Sequence, residues 1–235
     1  MIKHQWFVIS FIVLALMSCR ELVQDEFPDF TPVPTVNSIL IADSTIKIHV
    51  SLAAKLDLIP LKNVDQAEVQ LFVDGTFKET LAPRGNGMYT SSCRVEPGKS
   101  YQCKVNIAGY DTVTCTDSLP LPASLLQIEH IRLALFSNEQ IEGDSYTMVI
   151  NYTTGHYGCQ NDICETQLFP FVLELRSISY NYYQYLKQLY LYNTGRYPDF
   201  TGGVVSTFPL HSNVQNGYGI FAGYSSVVSD LINPE

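Results

Sequence analysis

The chain has 235 residues and a formal net charge of −9. This charge excludes nucleic acid as a partner and argues against charge-driven contact with an anionic membrane, because both are bound through Lys and Arg. Charged residues make up only 16% of the chain, whereas 15 Tyr, 12 Phe, 14 Gly and 12 Pro are present. Aromatic residues interrupted by Gly and Pro favour strands and turns, so the composition predicts a mainly β protein.

The first 18 residues have the pattern of a secretory signal. Lys3 precedes an apolar run from Trp6 to Met17, which is shorter than the ~20 residues with which a helix spans a bilayer. The run closes with Leu16-Met17-Ser18-Cys19, which resembles the lipobox of a bacterial lipoprotein signal. The resemblance implies cleavage after residue 18 and attachment of lipid, including palmitate, to Cys19. An N-terminal anchor helix is the alternative.

Residues 19–35 form a Pro-rich tether after the acylated cysteine. They carry several carboxylates and little that a core could bury, so the segment is expected to stay extended. Gln24-Asp25-Glu26 resembles the acidic export signal that directs Bacteroidetes lipoproteins to the cell surface, and a solvated linker is the alternative. We therefore expect a lipid-anchored protein of the cell outer membrane, located either on the cell surface or on the periplasmic side.

Residues 36–122 carry short runs in which apolar residues occupy every second position. Asp74-Gly75 is a favoured hairpin dipeptide between two of these runs. Pro97-Gly98 suits a type II turn, and we expect it to join a strand ending at Val95 to an adjacent antiparallel strand that begins near Tyr101. About seven strands at roughly ten-residue spacing predict an immunoglobulin-like or transthyretin-like β-sandwich.

The segment Asp117–Pro122 is the expected domain boundary, because its two prolines at alternate positions cannot continue a strand ladder. Residues 123–235 are predicted to form a second, β-rich domain that carries one helix near residues 179–194. The predicted strands of this domain are Ile128–Phe136, Tyr146–Tyr152, Phe169–Arg176 and a final one within Asn213–Val228.

The predicted helix has two stripes of side chains. Ser177 or Ser179 can cap its start, and Gly195 can end it. The stripe expected to face the sheet contains Tyr182, Tyr185, Leu186, Leu189 and Tyr192. The other stripe, called the tyrosine stripe below, consists of Tyr183, Lys187 and Tyr190. Tyrosines stack on sugars and form binding hot spots, so this stripe is a candidate site for a glycan or a protein partner. The alternative is that its rings fill the core.

The cysteine count is odd once the acylated residue is set aside, since six minus Cys19 leaves five. A secreted chain sits in an oxidising compartment, where disulfides persist. Cys159 and Cys164 lie in one short polar loop and are expected to pair. Closing so small a loop stabilises the fold by roughly 2 kcal/mol on the chain-entropy model.

The remaining three cysteines, Cys93, Cys103 and Cys115, can form only one disulfide among them. The expected hairpin at residues 97–98 would place Cys93 opposite Cys103, whereas pairing Val105 with Val113 places Cys115 opposite Cys103 instead. One of these three thiols is expected to remain buried and free. A metal site is disfavoured because no histidine has ligand spacing to the trio and zinc requires a fourth ligand. Neither a metal nor a cofactor is predicted.

Catalytic motifs of the HExxH, GxSxG or cysteine–histidine type are missing from the sequence, so no enzymatic activity is predicted. The alternative is a hydrolase that processes surface glycans or peptides, because carboxylates at predicted turns could supply the acidic pair that such an enzyme uses. Three Asp-Ser/Thr sites also look like those at which Bacteroidetes attach O-glycans to secreted proteins. They would place Ser44, Thr112 and Ser118 at the surface.

Several short motifs follow the lipobox and the tether in order. They are Gly87-Met-Tyr89, Pro97-Gly-Lys-Ser-Tyr101, Gly109-Tyr110, Ser177–Leu186 and Ser212–Ala222. Together they resemble the Bacteroidetes lipoprotein family of domain-of-unknown-function 4249 (DUF4249) across nearly the whole mature chain. The family has no established activity, and its members are often encoded near TonB-dependent outer-membrane receptors.

The resemblance implies a role beside a transporter. We therefore expect a non-enzymatic accessory protein that binds a ligand or partner for a TonB-dependent receptor and contacts the membrane through its lipid. A structural role in envelope assembly is the further alternative, because it shares all of these features.

Overall fold

The structure is a computed structural model, and it describes residues 31–53, 62–123, 155–160, 163–195 and 209–233. The predicted signal, the acylated Cys19 and the predicted strands Ile128–Phe136 and Tyr146–Tyr152 lie outside these residues. The strands are β1 (Pro34–Ile41), β2 (Thr45–Leu52), β3 (Lys62–Asn63), β4 (Glu68–Val73), β5 (Thr76–Thr80), β6 (Ala82–Gly85), β7 (Met88–Arg94), β8 (Ser100–Asn106), β9 (Val113–Ser118), β10 (Gly155–Gln160), β11 (Ile163–Leu168), β12 (Glu174–Ile178), β13 (Val214–Gln215) and β14 (Phe221–Val228). The helix α1 spans Tyr180–Gly195.

Two sheets form the body of the protein, and the prediction of a mainly β sandwich is confirmed. The first sheet has the strand order β12-β14-β1-β2-β7-β6, with β3 added beside β2. The second sheet has the order β13-β9-β8-β4-β5, and β10 and β11 form a separate hairpin. Among the described residues, no helix is long and apolar enough to cross a membrane.

The strands near the C-terminus complete the sandwich that the N-terminal strands begin. β14 runs parallel to β1, with Ser38 opposite Phe221 and Ile41 opposite Tyr224, and β13 pairs with β9. Pro32–Glu235 is accordingly one compact unit. The prediction instead placed a domain boundary at residue 122 and a separate domain over residues 123–235. The structure differs because β14 pairs with β1, which is distant in the chain, and so belongs to the first sheet.

The core lies between the two sheets, where alternate residues of each strand meet. In β1, β8 and β9, and in β2 as far as Val50, the buried side chains occupy every second position, as a half-buried strand requires. Ser51 of β2 is buried as well. Two core tyrosines also have hydrogen-bonded hydroxyls. The Tyr89 hydroxyl donates to the Val64 carbonyl and accepts from the Ala67 amide, each at 2.8 Å, and the Tyr101 hydroxyl accepts from the Glu96 amide at 2.7 Å.

The turn at Pro97-Gly98 crosses from one sheet to the other, so the hairpin predicted around it is wrong. Gly98 has the positive φ of 80° that the turn type requires. On one side, Val95 exchanges backbone hydrogen bonds with the turn between β1 and β2. On the other side, the Gly98 amide donates to the Leu119 carbonyl beyond β9. β7 and β8 therefore lie in different sheets, and their side chains face each other across the core.

Candidate functional site

The start of α1 is fastened to the first sheet through Ser179. Its hydroxyl accepts a hydrogen bond from the Tyr182 amide at 3.3 Å, as an N-cap residue does. Its backbone amide donates to the Gly223 carbonyl at 2.9 Å, and the Gly223 amide donates to its hydroxyl at 3.3 Å. A Cβ at position 223 would lie 2.5 Å from Leu119 Cδ1 and 2.8 Å from the Leu40 carbonyl oxygen. Glycine is therefore required where the helix meets β14.

A buried carboxylate from the second sheet also reaches this helix. Asp117 is 7% exposed, and its Oδ1 accepts a hydrogen bond from Nδ2 of Asn181 at 2.9 Å. The Asn181 side-chain oxygen lies 3.0 Å from Nε2 of His211, and the amide orientation makes that histidine nitrogen the donor. We call Asp117, Ser179, Asn181 and His211 the helix junction. It joins β9, α1 and the segment that leads into β13.

Burial dominates the electrostatics of the helix junction. Desolvation raises the pKa of Asp117, and polar contacts with Ser179 and Asn181 offset only part of that rise. Its Oδ2 is buried and makes no standard hydrogen bond to a described residue. A carboxylate beside a helix N-terminus interacts favourably with the partial positive charge of that end. Asp117 therefore helps to hold the start of α1 in place.

Aromatic packing holds the next turn of α1 on the outer face of the first sheet. The ring of Tyr182 stacks on that of Tyr224 with centroids 6.0 Å apart and an interplanar angle of 23°. The Arg176 guanidinium lies 4.7 Å from the Tyr224 ring centroid and forms a bidentate pair with Glu174. Burial raises the pKa of Tyr182, and the hydrogen bond to Glu174 raises that of Arg176. These contacts fix which side of the helix faces the sheet.

The tyrosine stripe lies on another side of α1. Tyr190 is 68% exposed, Lys187 is exposed and Tyr183 is half-buried. Tyr180, which is also 68% exposed, precedes Tyr183 by three residues and continues the same helical spacing. Tyr180 was not predicted as part of the stripe, although its position three residues before Tyr183 places it on the same face of the helix. Of the predicted inward residues, Tyr182, Tyr185, Leu186 and Leu189 are half-buried, whereas Tyr192 is exposed.

The cysteines of the sandwich are free thiols, so the predicted disulfide of Cys103 is wrong. Cys93 lies in β7 of the first sheet, because the turn after it changes sheets. Cys103 and Cys115 do face each other in the β8–β9 ladder, and the Cys115 thiol lies 3.9 Å from the Cys103 carbonyl oxygen. The side-chain interaction with the Cys103 thiol, together with burial, raises the pKa of Cys115 well above its ordinary value.

The remaining predicted sites are spread over the molecule. Cys159 is disulfide-bonded, and Cys164 is the residue directly opposite it in the β10–β11 ladder. Thr112 and Ser118 are exposed, whereas Ser44 is half-buried. No group of three or more His, Cys, Asp or Glu side chains with the geometry of a metal site occurs in the part of the chain that the structure describes.

A further carboxylate, missed by sequence reasoning, ties β5 to β7. Glu79 accepts hydrogen bonds from the Ser91 hydroxyl, from the Ser92 amide at 3.0 Å and from the Ser92 hydroxyl at 2.7 Å. Burial works against the charged form, yet these hydrogen bonds and one from Cys93 lower the pKa of Glu79 to about 2. Because β5 and β7 belong to different sheets, this cluster fastens one edge of the sandwich.

The model of a family described as "Domain of unknown function (DUF4249)" matches residues 20–155. No curated protein and no solved structure matches the chain.

Proposed function

We propose that this chain, which belongs to the DUF4249 family, is a non-enzymatic envelope lipoprotein that binds a protein partner through the tyrosine stripe. The partner class we favour is a TonB-dependent outer-membrane receptor. The supporting observation is a row of tyrosines, with Tyr180 and Tyr190 exposed and Tyr183 half-buried. The opposite side of the helix is held by the helix junction and by the Tyr182–Tyr224 stack. Exposed tyrosines on a rigid element bind at low entropic cost, because few of their torsions remain to be ordered.

The composition of the helix supports a protein partner over a catalytic role. α1 contains no Asp or Glu, and Lys187 is its only charged side chain. A row of aromatic rings around one cation offers contact area and a single anchor for a carboxylate, but it offers no acid–base pair. The hydrolase alternative therefore gains nothing from this surface.

The cellular location proposed for the protein is based on its N-terminal sequence. Cys19 is the proposed lipid attachment site, and the outer membrane, facing the cell surface, is the proposed location. Palmitate labelling of the native protein and of Cys19→Ser tests the attachment, since only the native chain should incorporate label. Protease treatment of intact cells tests the facing direction, because a surface protein is degraded and a periplasmic one is not.

Affinity capture of the full lipoprotein from its own solubilised membranes tests the stripe. We expect a TonB-dependent receptor to copurify with the native protein and to be lost with the pair Tyr183→Ala and Tyr190→Ala. The matched control removes two exposed rings elsewhere, Tyr218→Ala and Phe77→Ala, and should keep the receptor. Equal capture by both pairs contradicts the proposal. Loss of the circular dichroism signal in the stripe variant would assign its rings to the core instead.

A further inference from the structure

A shallow groove lies on the outer face of the first sheet, away from the core. Leu40 is fully buried, so its neighbours in β1, Ile39 and Ile41, point to the opposite face. The residues that line the groove are Ile39, Ile41, Ser44, Thr45, Lys47 and Arg94. They come from β1, β2, the turn between them and the end of β7.

The strand register arranges these side chains in two rows. Asn37 is opposite His49, and continuing this antiparallel register places Ile39 beside Lys47 and Ile41 beside Thr45. Thr45 in turn is opposite Arg94. One row therefore consists of Ile39 and Lys47, and the other of Ile41, Thr45 and Arg94. Each row has an isoleucine at one end and a cation at the other. The two rows are two residues, or about 7 Å, apart along the strands.

Both cations are available to an anionic ligand. The Arg94 guanidinium donates to the Asp43 backbone carbonyl, which fixes its position, and its other N–H groups make no hydrogen bond to a described residue. Lys47 is exposed. Within the described ranges, neither side chain forms a salt bridge, in contrast to Lys99 with Asp74 and Arg176 with Glu174. Lys47 and Arg94 therefore place two cations at one groove of a chain whose net charge is −9.

We propose that this groove binds an extended, acidic peptide segment of a partner protein. Alternate side chains of an extended peptide are also about 7 Å apart, so carboxylates and apolar side chains can meet the two rows in register. The hydroxyls of Ser44 and Thr45 add hydrogen-bonding groups at the groove floor. An acidic polysaccharide would match the charge, but it has no alkyl side chains to cover Ile39 and Ile41. The proposal is independent of the tyrosine stripe.

The test uses the full lipoprotein in detergent and a short fluorescein-labelled peptide with the repeat Glu-Ser-Leu-Ser, in which Glu and Leu share one face of the extended chain, followed by fluorescence anisotropy. We expect the pair Lys47→Gln and Arg94→Gln to weaken binding roughly tenfold and to reduce its salt dependence. The control pair Lys62→Gln and Lys78→Gln removes the same charge from exposed positions in β3 and β5 and should change binding less than about twofold. Replacing Leu by Ser in the peptide should also weaken binding, because the apolar contact with Ile39 and Ile41 would be lost.

Three outcomes would overturn the proposal. They are no saturable binding of the peptide, equal losses in the two pairs of variants, and tighter binding of polygalacturonate through Lys47 and Arg94. The last would assign the groove to a polysaccharide. The stripe variant Tyr183→Ala with Tyr190→Ala should bind the peptide like the native protein, so failure of this proposal and failure of the proposed receptor contact are distinguishable.

Discussion

Nδ2 of Asn181 donates a hydrogen bond to Oδ1 of Asp117 across 2.9 Å and thereby joins the first turn of α1 to the end of β9. The two residues are 64 positions apart in the chain. Because Ser179 binds β14 at the same point, the helix start is held by both sheets. The orientation of every side chain on α1, including the tyrosine stripe, depends on this junction.

Replacing Asp117 by alanine should destabilise the protein by about 1 to 3 kcal/mol. The substitution removes the acceptor and leaves the Asn181 amide without its partner in a partly buried site. Urea unfolding followed by circular dichroism measures the change. Asp111→Ala, which removes an exposed aspartate, is the control and should stay within about 0.5 kcal/mol of the native protein. Equal stability of the two variants would show that the junction contributes little to the fold.

Replacing Asp117 by asparagine should separate the effect of its charge from that of its hydrogen bond. Burial raises the pKa of Asp117 in the folded state, so folding favours the protonated form. Its contribution is fully present below the unfolded pKa and is lost as the pH rises through the folded pKa. Asparagine keeps an acceptor for Asn181 and does not titrate. We expect the stability of Asp117→Asn relative to the native protein to increase between about pH 3.5 and pH 7.

The free energy of unfolding at both pH values, from urea titrations, gives this comparison. A relative stability of Asp117→Asn that is constant with pH, or that falls as the pH rises, would contradict a raised pKa at position 117.

Glu79 should show the opposite dependence on pH. Its pKa is about 2 in the folded protein against an ordinary pKa of 4.5, so its contribution is present above pH 4.5 and is lost as the pH falls toward 2. Replacing Glu79 by glutamine should cost about 1 to 2 kcal/mol at neutral pH after allowance for solvent screening, and little at about pH 2. The measurement is the difference in urea midpoint between variant and native protein at both pH values. Glu96→Gln, which removes an exposed carboxylate from the same region of the chain, is the matched control.

The sequence predicted the strands better than it predicted their partners. Alternation identifies which residues of a strand share a face, and this alone indicates the buried positions of β1, β8 and β9. It does not state which strands pair. A Pro-Gly turn fits a hairpin and a crossing between sheets equally well, so the path after Val95 was predicted wrongly. The parallel pairing of β14 with β1 has no local signal, because the two strands lie far apart in the chain.

The helix was predicted from local signals, whereas the junction that holds it was missed. Ser179 caps the start of α1, and the helix ends at Gly195, as expected. Asp117 was predicted to begin the boundary between two domains, because prolines follow it. However, it has the same parity as Val113 and Cys115, which alternation places on the buried face. Extending that alternation by two residues would have placed Asp117 inside the sandwich. Its contact with Asn181 depends on tertiary packing and could not be predicted.

The free thiols should differ in reactivity according to their burial and pKa. Cys93 is half-buried, whereas Cys103 and Cys115 are buried, and the raised pKa of Cys115 leaves almost no thiolate to react. With 5,5′-dithiobis(2-nitrobenzoate) as reagent, we expect Cys93 to react first in the native protein and the other two to react only on unfolding. Cys93→Ser should remove the fast phase and leave the slow one unchanged. If Cys103 and Cys115 stay unreactive in unfolded protein until a reductant is added, the two are joined by a disulfide, and their assignment as free thiols is wrong.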